Sequence, residues 1–129
     1  MSRVKARGTD LEQRVANALR AEGMTFLTNV RDLSGRPDFV LPDEGLVIFV
    51  DGDFWHGYQF PKWKARLSPF WQRKIQANRI RDRRTFGRLR RQRWKVLRLW
   101  QHEIEKRPEF WLRRVRTIVD STRSAALNR

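Results

Sequence analysis

Cysteine is absent from the sequence. That excludes disulfides and cysteine-ligated zinc, and it makes a cytoplasmic protein the default expectation. Long apolar runs are missing too: no stretch approaches the roughly 20 residues a bilayer-spanning helix needs, so no membrane span is expected. The opening MSRVKARGTD is basic but leads into no apolar segment, and no secretory signal is read there. Acids are scarce, 14 Asp and Glu against 29 Lys and Arg, for a formal net charge of +15. This excess exceeds what solubility requires and points to a polyanionic partner, nucleic acid first and a membrane surface as the competitor. Repeats, low-complexity tracts and linkers are lacking. One domain over residues 1–129 with one modest core is expected.

What is present reads as alternating helices and strands. Thr9 followed by Glu12 fits a capping box, and Leu11, Val15, Ala18 and Leu19 recur at helical spacing, so a helix is expected over about Asp10 to Ala21. TFLTNV, 25–30, reads as a first strand, RDLSGRP as loop and DFVL as a second strand. Pro42 to Gly45 is a tight turn, and Leu46 to Val50 is an apolar run suited to a central strand covered on both faces. A loop of about fifteen residues follows, long enough to suggest function. Ser68 and Pro69 cap a basic helix running to about Arg91; WKVLRLW, 94–100, is a strand; a final helix spans roughly Pro108 to Thr122. The order αβββαβα indicates a mixed sheet with helices packed on it, an α/β or α+β domain.

The stretch GRPDFVLPDEGLVIFVDGDFWHG, 35–57, concentrates the residues capable of chemistry. Asp38 heads one strand and Asp51 ends its hairpin partner, so their carboxylates can meet at one sheet edge. Such a pair suits a hard divalent cation such as Mg²⁺; solvated strand-end acids are the alternative. Trp71, Ile75, Asn78, Asp82, Phe86 and Leu89 share one helix face, which places an acid, Asp82, on an apolar side where it is either paired or functional. His56 is a candidate general base. Glu12 is accounted for by the capping box. Phe54, Trp55, Tyr58, Phe60 and Trp63 crowd one loop, either as a satellite core or as rings that stack on bases.

GRPDFV, VIFVDGDFWHG, FWQRKIQANRIRDRR and RWKVLRLW, collinear from about Thr9 to Glu103, resemble the very-short-patch-repair (Vsr) mismatch endonucleases and the related EDxHD homing endonucleases. The resemblance implies a restriction-endonuclease-like fold of the PD-(D/E)XK class that cuts double-stranded DNA with Mg²⁺. It implies that Glu12, Asp38, His56 and Asp82 are the E, D, H and D of the family pattern, with Asp51 at the variable position where the repair enzymes carry histidine. Asp38 and the Val50 carbonyl would hold the metal, and His56 would activate water, oriented by Asp82. Phe54, Trp55 and Trp71 match the aromatics that wedge into the duplex, with Arg73, Lys74, Asn78, Arg79 and Arg83 contacting DNA around them. The family's structural zinc is not expected, because Asp53 and His102 stand at two of its cysteine positions. Eleven residues precede Glu12, so a shortened DNA-clasping arm is expected. Three readings follow: a Vsr-like endonuclease acting in mismatch repair, a homing-type nuclease, and a non-cleaving DNA-binding protein. An accessory repair or recognition partner is consistent with the lack of a separate recognition module.

Overall fold

The computed structural model describes residues 8–127, except for the side chains of residues 8 and 9. One strand divides its core in two. Leu46–Asp51 (β2) is buried at every position, and its side chains alternate between two faces. Leu46, Ile48 and Val50 enter one apolar cluster, while Val47 and Phe49 enter another. β2 is the middle strand of a three-stranded sheet. Phe39–Leu41 (β1) pairs with it antiparallel and Lys95–Trp100 (β3) pairs with it parallel. The mixed sheet between helices matches the expected class.

Each face acquires its own helices. Gly8–Ala21 (α1) presents Leu11, Val15 and Leu19 to the first cluster, and Pro108–Leu127 (α5) adds Trp111, Val115 and Val119. Pro69–Arg91 (α3) covers the second face with Phe86 and Leu89, the Phe86 ring lying 4.9 Å from Phe49. Full burial of each such side chain stabilises by roughly 1.5–3 kcal/mol, so both layers hold the sheet. Ser68 caps α3 as expected, its hydroxyl accepting from the Trp71 N–H at 3.5 Å. The β1–β2 turn is a single 3₁₀ turn over Pro42–Glu44, closed by Gly45 at φ +63°.

Four expectations are corrected. Residues 25–30 do not form a strand: Leu27 makes one bridge to Val40, with hydrogen bonds of 2.8 and 2.9 Å. Asn29 at φ +57° breaks the extended path, and the three residues of β1 give little edge to follow. The long loop after β2 contains a short helix, Phe60–Trp63 (α2), and a 3₁₀ turn over Lys64–Arg66. A six-residue helix, Gln101–Lys106 (α4), follows β3 directly; it is too short for periodicity to reveal. Finally, α5 continues to Leu127 and α1 opens at Gly8, which moves Thr9 inside the helix; the Thr9 side chain of the expected capping box lies outside the described residues.

Gly35 fastens the 31–36 loop to α3. It adopts φ +75°, and a β-carbon there would fall 2.3 Å from Thr85 Cγ2 and 3.3 Å from Phe49 Cε1. Gly35→Ala should therefore combine backbone strain with a clash against a stiff β-branched side chain, costing about 1–3 kcal/mol or more in urea denaturation. Gly45→Ala, strained at φ +63° but facing open space, should cost less. Equal losses would show that packing at Gly35 contributes nothing.

Candidate active site

The alternation that builds the two cores also aims the polar groups. Asp51 follows Val47 and Phe49 onto the α3 face of the sheet. On β3, Leu97 and Leu99 turn to the first cluster, which sends Arg98 to the same face as Asp51. There the Arg98 guanidinium lies 5.0 Å from the Phe86 ring centroid and 4.2 Å from that of Trp100. Its Nε donates to Asp51 Oδ2 at 2.6 Å and its Nη2 to Asp82 Oδ2 at 2.5 Å. Burial pushes the Arg98 pKa down from its ordinary value, while the charge and hydrogen bond of Asp82 pull it back up. His56 completes the group from the loop after β2. Its Nδ1 lies 2.7 Å from Asp82 Oδ2 and its Nε2 lies 3.6 Å from Asp51 Oδ1. Asp51, His56 and Asp82 are all buried, and each offers a ligand atom within 4.8 Å of the others.

Asp38 is placed differently. Its Oδ2 accepts the Val50 N–H at 2.6 Å, taking the ladder position that β1 leaves beyond Phe39. The strand alternation that turns this N–H toward Asp38 turns the Val50 carbonyl to the same side. Asp38 is not a member of the Asp51–His56–Asp82 group among the described residues. The two expected metal acids thus engage different partners, Asp38 the β2 backbone and Asp51 the Arg98 and His56 side chains. Glu12 is half-buried on α1 and is likewise outside that group.

The wedge candidates form one cluster beside the acids. Phe54 meets Trp55 at 5.5 Å and Trp71 at 5.7 Å, and it stacks on Trp63 at 5.6 Å with planes 19° apart. Trp55 and Trp71 are 5.5 Å apart. Trp71 belongs to neither sheet core, although Phe86 and Leu89 of the same helix face do; near the start of α3 its ring neighbours are Phe54 and Trp55 of the loop and the adjacent Phe70. Phe54 is 40% exposed. Of the expected DNA contacts, Arg73, Lys74 and Arg83 are exposed. Asn78 is buried, and its Nδ2 donates to the Trp55 carbonyl at 2.8 Å, which makes it a support of the loop. Arg79 lies 5.4 Å from the Phe60 ring centroid, and its stem runs against Gly57, where a β-carbon would fall 2.7 Å from Arg79 Cδ. Asp53 and His102 meet each other, Oδ1 to Nδ1 at 3.0 Å, with the Tyr58 ring 4.3 Å from the imidazole.

Arg98 is the site residue that sequence reasoning missed. Its signal was present: a cation within KVLRLW, where the alternating partners are apolar, has to find a buried acid.

The family model for DNA mismatch endonuclease Vsr matches residues 1–62. The chain is 36% identical over 118 residues to the type II nicking enzyme V.NmeDIP of Neisseria meningitidis serogroup C, covering 89% of this chain and 80% of that protein. To the DNA mismatch endonuclease Vsr of Escherichia coli (strain K12) it is 38% identical over 112 residues, covering 85% and 72%. Among solved structures, the catalytic domain of homing endonuclease I-Bth0305I superposes with a TM-score of 0.60 at 17% identity, over 87% of this chain and 95% of that domain. That likeness is one of fold, and it agrees with a restriction-endonuclease-like architecture.

Arg98→Met should destabilise the protein by roughly 3–5 kcal/mol, because two buried carboxylates lose the cation they share. Adding Asp51→Asn should recover part of the loss. Denaturation of both variants at neutral pH tests this, and a loss under 1 kcal/mol for Arg98→Met would count against it.

Proposed function

The chain belongs to the Vsr family of DNA endonucleases and nicking enzymes, and on that premise we propose that it hydrolyses one strand of duplex DNA with Mg²⁺ at the Asp38–His56 site. The observation that carries this is the 2.7 Å contact between His56 Nδ1 and Asp82. An ionised carboxylate can only accept, so Nδ1 holds the proton and Nε2 is left as the base. Nε2 takes a proton from water as the water oxygen bonds to phosphorus; the bond from phosphorus to the 3′ oxygen breaks, and solvent protonates that oxygen. Asp51 Oδ1, 3.6 Å from Nε2, stabilises the imidazolium that forms.

The donors available suit a hard cation. Asp38 and the Val50 carbonyl are oxygen ligands on one side of β2, which would hold Mg²⁺ together with phosphate oxygens and water. Bound there, the ion would offset charge on the scissile phosphate and acidify the attacking water. Arg98 engages Asp51 through Oδ2, so as a further ligand Asp51 would offer Oδ1 or exchange Arg98 for the ion. Glu12 would act from α1 as the remaining acid of the family pattern.

Phe54 and Trp55 act as the wedge, with Trp71 supporting them and Arg73, Lys74, Arg79 and Arg83 balancing nearby phosphates. Unstacking a base step costs on the order of a few kcal/mol and least at a mismatch, which favours weak points in the duplex and a role in mismatch repair. The finer choice of target falls to an accessory recognition partner. The Asp53–His102 contact ties the catalytic loop to α4, and no structural zinc is invoked there. No helix among the described residues is long and apolar enough to cross a membrane.

Supercoiled plasmid should be nicked in Mg²⁺ and left intact in EDTA. Asp38→Ala should abolish nicking, and His56→Ala should slow it by about 10²–10⁴-fold. A parent protein inert in every divalent cation, or an Asp38→Ala variant as fast as the parent, would sink the assignment.

Trp55→Ala should slow cleavage of intact duplex more than cleavage of a mismatched or gapped one, with the Tm nearly unchanged. Equal losses on both substrates would make Trp55 general contact surface.

A further inference from the structure

The flank of α3 turned away from the acids carries a second basic feature. A groove of about 670 Å³ runs between this helix and the 31–36 loop. Its walls are Arg81, Arg84 and Arg88 on the helix and Arg31 and Arg36 on the loop; Ala77 and Ile80 contribute apolar floor. None of these five arginines takes part in a salt bridge among the described residues. Arginine-rich helix faces are commonly just solvated. Here, however, the second wall is built: Gly35 sits tight against Thr85, and Arg88 Nη1 donates to Ser34 Oγ at 2.8 Å, holding the loop to the helix.

We propose that this groove binds the phosphodiester backbone of one DNA strand beside the cut, an inference that rests on the nuclease reading above. Arg81, Arg84 and Arg88 fall at helical spacings of three and four, in one row. Seven residues advance about 10 Å along a helix axis. A DNA strand rises about 3.4 Å along the duplex axis per phosphate but winds around that axis, so neighbouring phosphates on it lie roughly twice as far apart and the row reaches about two of them. Guanidinium forks on both walls suit phosphate oxygens, and Ile80, 38% exposed, offers an apolar surface to the sugars between them. The groove also adjoins the wedge. Arg81 Nη1 donates to Asn78 Oδ1 at 3.3 Å, and Asn78 Nδ2 holds the Trp55 carbonyl at 2.8 Å. The acids are excluded from it: Asp82 neighbours Arg81 in sequence but faces the sheet, buried beside Arg98.

The test is equilibrium binding of the full chain to a short duplex in EDTA, where no cutting occurs, over a series of salt concentrations. The Arg31 and Arg84 side chains make no hydrogen bond to the protein among the described residues, so Arg31→Gln/Arg84→Gln should fold normally, checked by Tm. The double variant should flatten the slope of log K against log salt by about 2, at roughly 0.9 per phosphate contact. Arg113→Gln/Arg123→Gln on exposed α5 positions removes the same charge elsewhere and should leave the slope near the parent's. Duplexes with neutral methylphosphonates at consecutive positions on one strand should weaken parent binding at one run of two or three positions, and the groove variant should be indifferent to that run. A variant slope equal to that of the α5 control, or continued sensitivity to the same run, overturns the proposal. Because binding is read without cleavage, a parent that binds but never nicks fails the nuclease reading alone. A parent that nicks while the variant keeps its slope fails the groove alone.

Discussion

A single guanidinium anchors the polar half of this molecule. Arg98 reaches from β3 to Asp51 on β2 and Asp82 on α3, so one side chain ties two strands and a helix together where apolar packing gives way. Two carboxylates at low exposure would repel each other and resist burial; the shared cation makes their juxtaposition tolerable. Its own desolvation is offset by hydrogen bonds to both acids and by the Phe86 and Trp100 faces on which it lies. The planar fork matters as much as the charge. A lysine could not address Asp51 through one nitrogen and Asp82 through another while lying flat on a ring.

From that bridge the remaining geometry follows. Asp82, fixed by Arg98, fixes the His56 ring, and the loop carrying His56 is held from the other side by Asn78 and by the contacts of Asp53 with His102 and Gln101. The aromatic cluster then extends outward from Trp55, the neighbour of His56, toward Phe54, Trp63 and Trp71. A rigid acid-and-imidazole interior thus meets a partly exposed aromatic rim within a few residues of chain.

Much of this was legible in the sequence because it rests on period and type. The alternation and burial of Leu46 to Val50, the cap at Ser68, and an acid on the apolar face of α3 are local signals with a mechanism. What stayed hidden depended on pairing across the chain. Nothing local tells Asp51 to seek Arg98, forty-seven residues away, ahead of Asp38 across the hairpin. The strand expected at 25–30 was composition without context: its residues favour extension, but β1 offers three residues to pair with and Asn29 turns left-handed. The α4 helix escaped because it has six residues, too few to show a period, and its N-cap is a tryptophan. Glu103 accepts the Trp100 N–H at 3.0 Å, but none of the usual Ser, Thr, Asp or Asn caps stands there to announce it.

The short turn over Pro42–Glu44 has a consequence for how this chain tolerates change. It sets which residue of β1 stands opposite which residue of β2, Phe39 against Ile48. Side chains on a strand alternate, so a slip of one residue would exchange the two faces of β2. Asp51 would then point into the cluster containing Leu19 and Trp111, and Val50 would face Arg98 and Asp82. The core and the buried polar group would fail in the same step. The letters of the turn can vary wherever its backbone is respected, but an insertion or deletion of one residue, which most surface turns absorb, would have nowhere harmless to go.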